Sequence, residues 1–127
     1  MAGFKTKVTS EIENLTEVCR EHTGLDLSLY AKYDVKRGLR DINGKGVLAG
    51  LTQVSNVKAT KIVDGKEVPC AGSLSYRGYD IKDLTRGFIE DDRYGFEEVT
   101  YLLLFGSLPD KKQLADFTQL LANQRSL

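Results

Sequence analysis

The sequence predicts a mainly helical fold carrying one small antiparallel β-hairpin at about residues 57–76. Three observations predict it. Apolar residues recur at helical spacing in separate stretches around Ile12, Leu102 and Phe117. The segment VKATKIV alternates as a half-buried strand does and runs into Asp64-Gly65, a dipeptide suited to a tight hairpin turn. Between Ala71 and Pro109 a short strand, a glycine break and two helical patterns follow one another within fewer than forty residues.

At 127 residues the chain fits one ordinary domain or a piece of a larger one. A hydrophobic content of 41% and a charged content of 28% suit a soluble globular protein. The 18 basic and 18 acidic side chains balance, which argues against a nucleic-acid or anionic-membrane partner. The longest apolar run, Tyr101–Phe105, is too short to span a bilayer, and the N-terminus lacks the apolar core of a signal peptide. With only Cys19 and Cys70 the expected setting is cytosolic, with reduced thiols. Two cysteines and one histidine do not complete a structural zinc site, so no metal ligands are assigned.

Taken in order, residues 3–23 read as an amphipathic helix with Val8, Ile12, Leu15, Val18 and Cys19 on one face. Ser10 and Glu13 have capping-box spacing, and Gly24 follows Arg20 and His22 as a stop. From Leu25 to Ser55 the pattern loosens; Leu27 and Leu29 suit a brief extended segment or a helical turn. The run KRGLRDINGKGVLAGL then places four glycines among basic residues. Its spacing is neither that of a P-loop, since Lys45 stands between two glycines with no Ser or Thr after it, nor that of a dinucleotide-binding turn. It reads as a linker or arm.

Residues 57–76 form the hairpin. In its return arm Pro69 cannot donate to a ladder, so KEVPC reads as an edge or excursion before the better strand Ser73–Tyr76. Cys70, beside that proline and far from the histidine, is read as a structural or incidental thiol and not as a nucleophile. Gly78 ends the strand and Asp80 caps a short helix from Ile81 to Arg86, interrupted at Gly87. Glu90, Asp91, Asp92 and Arg93 read as a solvated turn without the spacing of a calcium loop. Phe96–Phe105 is a helix with Glu97 and Glu98 in its first turn and Gly106 at its end. Those two carboxylates are helix neighbours, about 100° apart around the axis, so they do not share a proton. Asp110 caps a last helix whose face is Leu114, Phe117, Leu120 and Leu121. No glycine or proline stop follows it, and the parent protein is expected to continue past Leu127.

The segment from Gly50 to Leu121 resembles the N-terminal region of citrate synthases. The resemblance is carried by GLTQVSNVKATKIVDG, GSLSYRGYDIKDL and FEEVTYLLLFGSLPDKKQLADF, in order and with the family's spacing. The glycine-rich RGLRDINGKGVLAGL and the longer KEVPCAG turn look like a bacterial branch. The resemblance implies a mostly helical, dimeric enzyme that condenses acetyl-CoA with oxaloacetate to give citrate and CoA. In such enzymes an aspartate removes a proton from the acetyl methyl, one histidine stabilises the enol, a second polarises the oxaloacetate carbonyl, and arginines hold the carboxylates. A weak carbon acid needs such a positioned base and hydrogen bonds to the developing enolate oxygen.

None of those catalytic motifs is found in this chain. His22 lies in the weakly matching N-terminal helix and receives no role; Arg77 of the YRGY motif is read as a buried structural hydrogen-bonder and not as a substrate ligand. No catalytic, cofactor-binding or metal residue is therefore assigned, and no cofactor. The expected organisation is a helix and extension at 1–30, a glycine-rich basic arm at 31–55, and a hairpin with three helices at 56–127 forming the N-terminal part of the family's large domain. The expected function is that of a citrate synthase portion, inactive alone and partnered by the remaining subunit and a second subunit. The alternatives are a 2-methylcitrate synthase portion, which would use propionyl-CoA, and a stand-alone interaction or regulatory domain. Cut from a larger helical enzyme, the faces Val8/Ile12/Leu15 and Leu114/Phe117/Leu121 are expected to lack cover and to drive self-association.

Overall fold

A computed structural model of the chain describes residues 8–36, 38–41, 44 and 46–125. Lys45 of the glycine-rich run and positions 3–7 of the expected first helix lie outside the described residues. The elements run α1 (Ser10–Thr23), α2 (Ser28–Lys32), β1 (Ser55–Val63), β2 (Lys66–Tyr76), β3 (Tyr79–Asp80), α3 (Ile81–Glu90), α4 (Phe96–Phe105) and α5 (Lys111–Asn123). The fold is mainly α with one small antiparallel sheet, as the periodicities predict.

α1 is capped one residue earlier than the sequence spacing suggests. Thr9 is extended (φ −106°, ψ 162°), which lets its hydroxyl accept from the Ile12 amide at 3.3 Å, and Ser10 is already helical. Gly24, also extended, ends the helix. The loosely patterned stretch after it holds the single-turn α2. Farther on, Arg40 and Gly46 form an isolated bridge, and the Arg40 guanidinium donates to the Gly44 carbonyl at 3.0 Å.

The sheet order is β1-β2-β3, all antiparallel. Asp64 (φ 50°) and Gly65 (φ 74°) both take the positive φ that a two-residue primed turn requires. The return arm is one continuous strand, not an excursion followed by a strand. Thr60 pairs with Pro69 and Lys58 with Ser73, so three residues of β2 oppose the single Ala59. This bulge takes up the missing amide of Pro69 without ending the strand. Because the excess is two residues, side-chain alternation is preserved across it. Val57, Ala59 and Val63 therefore share a face with Val68 and Leu74; Asn56, Lys58, Thr60 and Ile62 share the other with Glu67 and Ser73. Every residue of β1 is exposed.

Asp80 caps α3 through its carboxylate, which accepts from the Lys82 amide at 2.8 Å. The helix does not stop at Gly87 but continues to Glu90, since one glycine costs only about 1 kcal/mol against alanine and the turns on both sides hold. Asp92 (φ 52°) then turns the chain out of the helix. The Phe88 ring lies over Gly95, so close that a β-carbon there would clash with it. α4 runs over the expected residues and ends on Gly106 in the left-handed conformation (φ 82°). α5 carries a full capping box: Asp110 accepts from the Gln113 amide at 2.8 Å and the Gln113 side chain accepts from the Asp110 amide at 2.9 Å.

The core sits where α1 and α5 lie on α4. Tyr101, Phe105 and Phe117 meet edge-to-face, with centroids 4.5, 5.4 and 5.7 Å apart. Leu15, Cys19 and Leu121 pack around them. Of the apolar faces of α1 and α5, expected to be bare, Phe117 is buried and Leu15, Cys19 and Leu121 are partly covered by this cluster, while no residue of α1 is fully buried. Val8 and Val18 of the α1 face stay exposed, and further large exposed apolar side chains include Tyr94 (94% exposed), Phe96 and Ile89 and, on the hairpin, Val57 and Ile62.

Candidate functional site

The sequence marks Arg77 more strongly than any other charged residue, and the structure explains why. Tyr76 pairs with Tyr79, leaving Arg77 and Gly78 as the central residues of a second two-residue turn, both at positive φ (48° and 90°). For an arginine this conformation is uncommon. It sends the side chain back from the sheet onto the helices. There Nε and Nη2 donate to the Leu103 carbonyl at 3.2 and 2.9 Å, and Nη1 donates to the His22 carbonyl at 3.1 Å. Both acceptors lie in the last turns of helices, α4 and α1, where carbonyls lack helical partners and the dipole favours a cation. Arg77 is a half-buried clamp joining three elements.

His22 completes the junction. Its Nδ1 lies 2.9 Å from the Val18 carbonyl, and its ring covers Gly106, where a β-carbon would meet ring carbon Cδ2 at 2.7 Å. Gly106 is therefore required twice, for its left-handed backbone and for the ring above it. Beside the clamp is a small cavity of about 140 Å³ lined by His22, Leu25, Leu51, Gln53, Val54 and Arg77. The Gln53 side chain spans it to donate to the Gly24 carbonyl at 3.1 Å.

A second concavity, about 580 Å³, lies between the α3–α4 loop and α5 and is lined in part by Asp91, Arg93, Glu98 and Lys111. Arg93 binds Glu98 directly and Asp91 at 3.0 Å, so the acidic turn is fastened at one end while Asp91 and Asp92 stay exposed. The Glu98 hydrogen bond holds the Arg93 guanidinium above its usual range; burial opposes it, and a lesser hydrogen bond from Asp91 adds to it. Glu97 pairs with Arg125 at 3.5 Å. The two helix-start carboxylates thus act as separate anchors for different cations, a role the dipole argument did not assign them. A third groove, about 390 Å³, separates α1 from α5 over Tyr101 and Phe117.

Cys19 is in the core margin and Cys70 at the bulge of β2; both are free and half-buried. Among the described residues no three His, Cys, Asp or Glu side chains converge as metal ligands. No helix among them is long and apolar enough to cross a membrane. The side chains that meet at these three places hold backbone and one another. The signal for the clamp was present in sequence as Arg-Gly between two tyrosines, a turn dipeptide; its targets, two backbone carbonyls, carry no residue-type signal.

Residues 38–127 match the family model described as citrate synthase, C-terminal domain. The chain belongs to the citrate synthase family. Among curated members, 2-methylcitrate synthase 2 of Corynebacterium glutamicum is 39% identical over 94 residues, which are 74% of this chain and 19% of that protein. The citrate synthase of Haloferax volcanii is 38% identical over 94 residues, with the same shares of 74% and 19%. The citrate synthase of Saccharolobus solfataricus is 40% identical over 73 residues, 57% of this chain and 16% of that enzyme. The match thus spans less than a fifth of each family member's length. No solved structure matches significantly. The Arg77 clamp and the Gly106–His22 contact lie in or against the segments that carry the family's sequence pattern.

Proposed function

We propose that this chain is the N-terminal scaffold of a cytosolic citrate synthase, the part of the large domain on which the rest of the subunit is built. The complete enzyme, a homo-oligomer, condenses acetyl-CoA with oxaloacetate to citrate and CoA. The observation that carries this reading is the use to which the family-marked YRGY segment is put: Arg77 spends three hydrogen bonds on helix-end carbonyls, not on an open site. Such a residue fixes the angle between sheet and helices and contacts no substrate. The chain by itself is inactive, because base, enol-stabilising group and carboxylate-binding arginines must converge on one substrate pose. It takes no cofactor or metal of its own.

The test is CoA release by the purified chain from acetyl-CoA or propionyl-CoA with oxaloacetate, followed with a thiol reagent. The expected rate equals that of a blank; release above it overturns the assignment. One observation favours a second reading on the same scaffold, since the relatives named above include a 2-methylcitrate synthase. The complete enzyme's relative rates with propionyl-CoA and acetyl-CoA separate the two. A reading frame closing directly after Leu127 would instead favour a stand-alone interaction domain.

A further inference from the structure

We propose that the outer edge of β1 is a docking edge for a second copy of this chain, in one register, with Ala59 facing its counterpart across a two-fold axis. The inference is independent of the family reading and does not use the helical faces. Among the described residues β1 is an edge strand, with β2 as its one neighbour in the sheet order, and all nine of its residues are exposed. Unpaired edges of this length are templates for strand addition. Lysines on an edge normally oppose self-pairing, and β1 carries two, Lys58 and Lys61. Here they select a register.

A two-fold axis perpendicular to the sheet makes one residue of β1 face its own counterpart. Centred on Lys58 or on Lys61, it opposes two like charges directly, which is destabilising. Centred on Val57 or Thr60, it leaves one end of the strand unpaired. Centred on Ala59, all nine residues pair and no lysine faces a lysine. Lys61 then lies against Val57 of the other copy, where its aliphatic stem covers an apolar side chain that is 75% exposed in the single chain. Lys58 lies against the other copy's Thr60, whose hydroxyl donates to the Glu67 carboxylate at 2.8 Å. That bond holds a carboxylate on the face to which Lys58 projects, and the symmetry makes the charge pair twice. The balanced charge of the chain leaves no net repulsion between copies.

The experiment is sedimentation equilibrium of the intact chain from low to high micromolar concentration. The expected result is a monomer–dimer equilibrium. Lys58→Glu and Glu67→Lys each weaken it roughly tenfold or more, because each converts two attractive contacts into two repulsive ones. Combining the two substitutions restores it, a recovery that a merely misfolded variant would not show. A wild-type chain that stays monomeric throughout overturns the proposal. So does a dimer indifferent to either reversal, which would place association on the Tyr94–Phe96 surface, and so does a double variant that fails to recover.

Discussion

The helical core and the hairpin ribbon contain similar apolar residues and differ in what covers them. Tyr101, Phe105 and Phe117 are each at most 7% exposed and lock edge-to-face, with α1 and α5 closing over α4. Val57 and Ile62 occupy equally regular positions on β1 and remain at least 70% exposed. Periodicity reports which residues share a face; only a second surface turns a face into a core. A two-stranded ribbon is marginal in water without such a surface, so the helical part should carry the stability of the chain and the ribbon should follow it.

The largest expected effect tests that division. Phe117→Ala removes one ring of the triad and opens a cavity at the meeting point of three helices, costing about 3–5 kcal/mol. Against a total of roughly 5–15 kcal/mol for an ordinary domain, much of the folded population is lost. Helical circular dichroism in a urea titration measures it. A shift worth under about 1 kcal/mol would mean that the three rings do not form a closed core.

A smaller effect probes the clamp through which ribbon and core communicate. Arg77→Ala leaves the carbonyls of Leu103 and His22 without that donor. The side chain is half-buried, so the loss is set at about 1–2 kcal/mol, below the figure for a fully buried charged donor. Arg77→Gly loses the same bonds but accepts positive φ freely, and should be more stable than the alanine variant by about 1 kcal/mol. Hydrogen exchange should show faster opening at the end of α1 in both. Were the glycine variant as stable as wild type, backbone conformation and not the hydrogen bonds would be the clamp's contribution.

How far the sequence foretold this molecule follows the same line between local and distant causes. α4 is legible to the residue, because acidic side chains at its start and Gly106 at its end are local signals. The Asp64-Gly65 turn and the Asp80 and Asp110 caps are legible for the same reason. The continuation of α3 through Gly87 and of β2 through Pro69 is not, since each depends on neighbours holding a weak position in place. Arg77 could be marked as structural but not placed. Its acceptors lie 26 and 55 residues away and are backbone atoms, identical in every residue. The packing of Leu15 and Cys19 of α1 against the Tyr101–Phe105–Phe117 cluster is not legible either, because amphipathicity names a face without naming its partner.

The smallest expected effect sharpens the other half of the comparison. Ile62 pairs with Glu67 on the polar face of the ribbon and is 70% exposed. Threonine keeps the β-branch that suits an extended strand, so Ile62→Thr retains pairing and loses little apolar contact. The expected change is within about 0.5 kcal/mol at low micromolar concentration, where the chain is monomeric. Thermal unfolding followed on the helical signal should then superimpose on wild type. A loss above roughly 1.5 kcal/mol is what burial of a whole isoleucine side chain would produce. It would show that this face of the ribbon is covered in the folded monomer and that the contrast between the two regions does not hold.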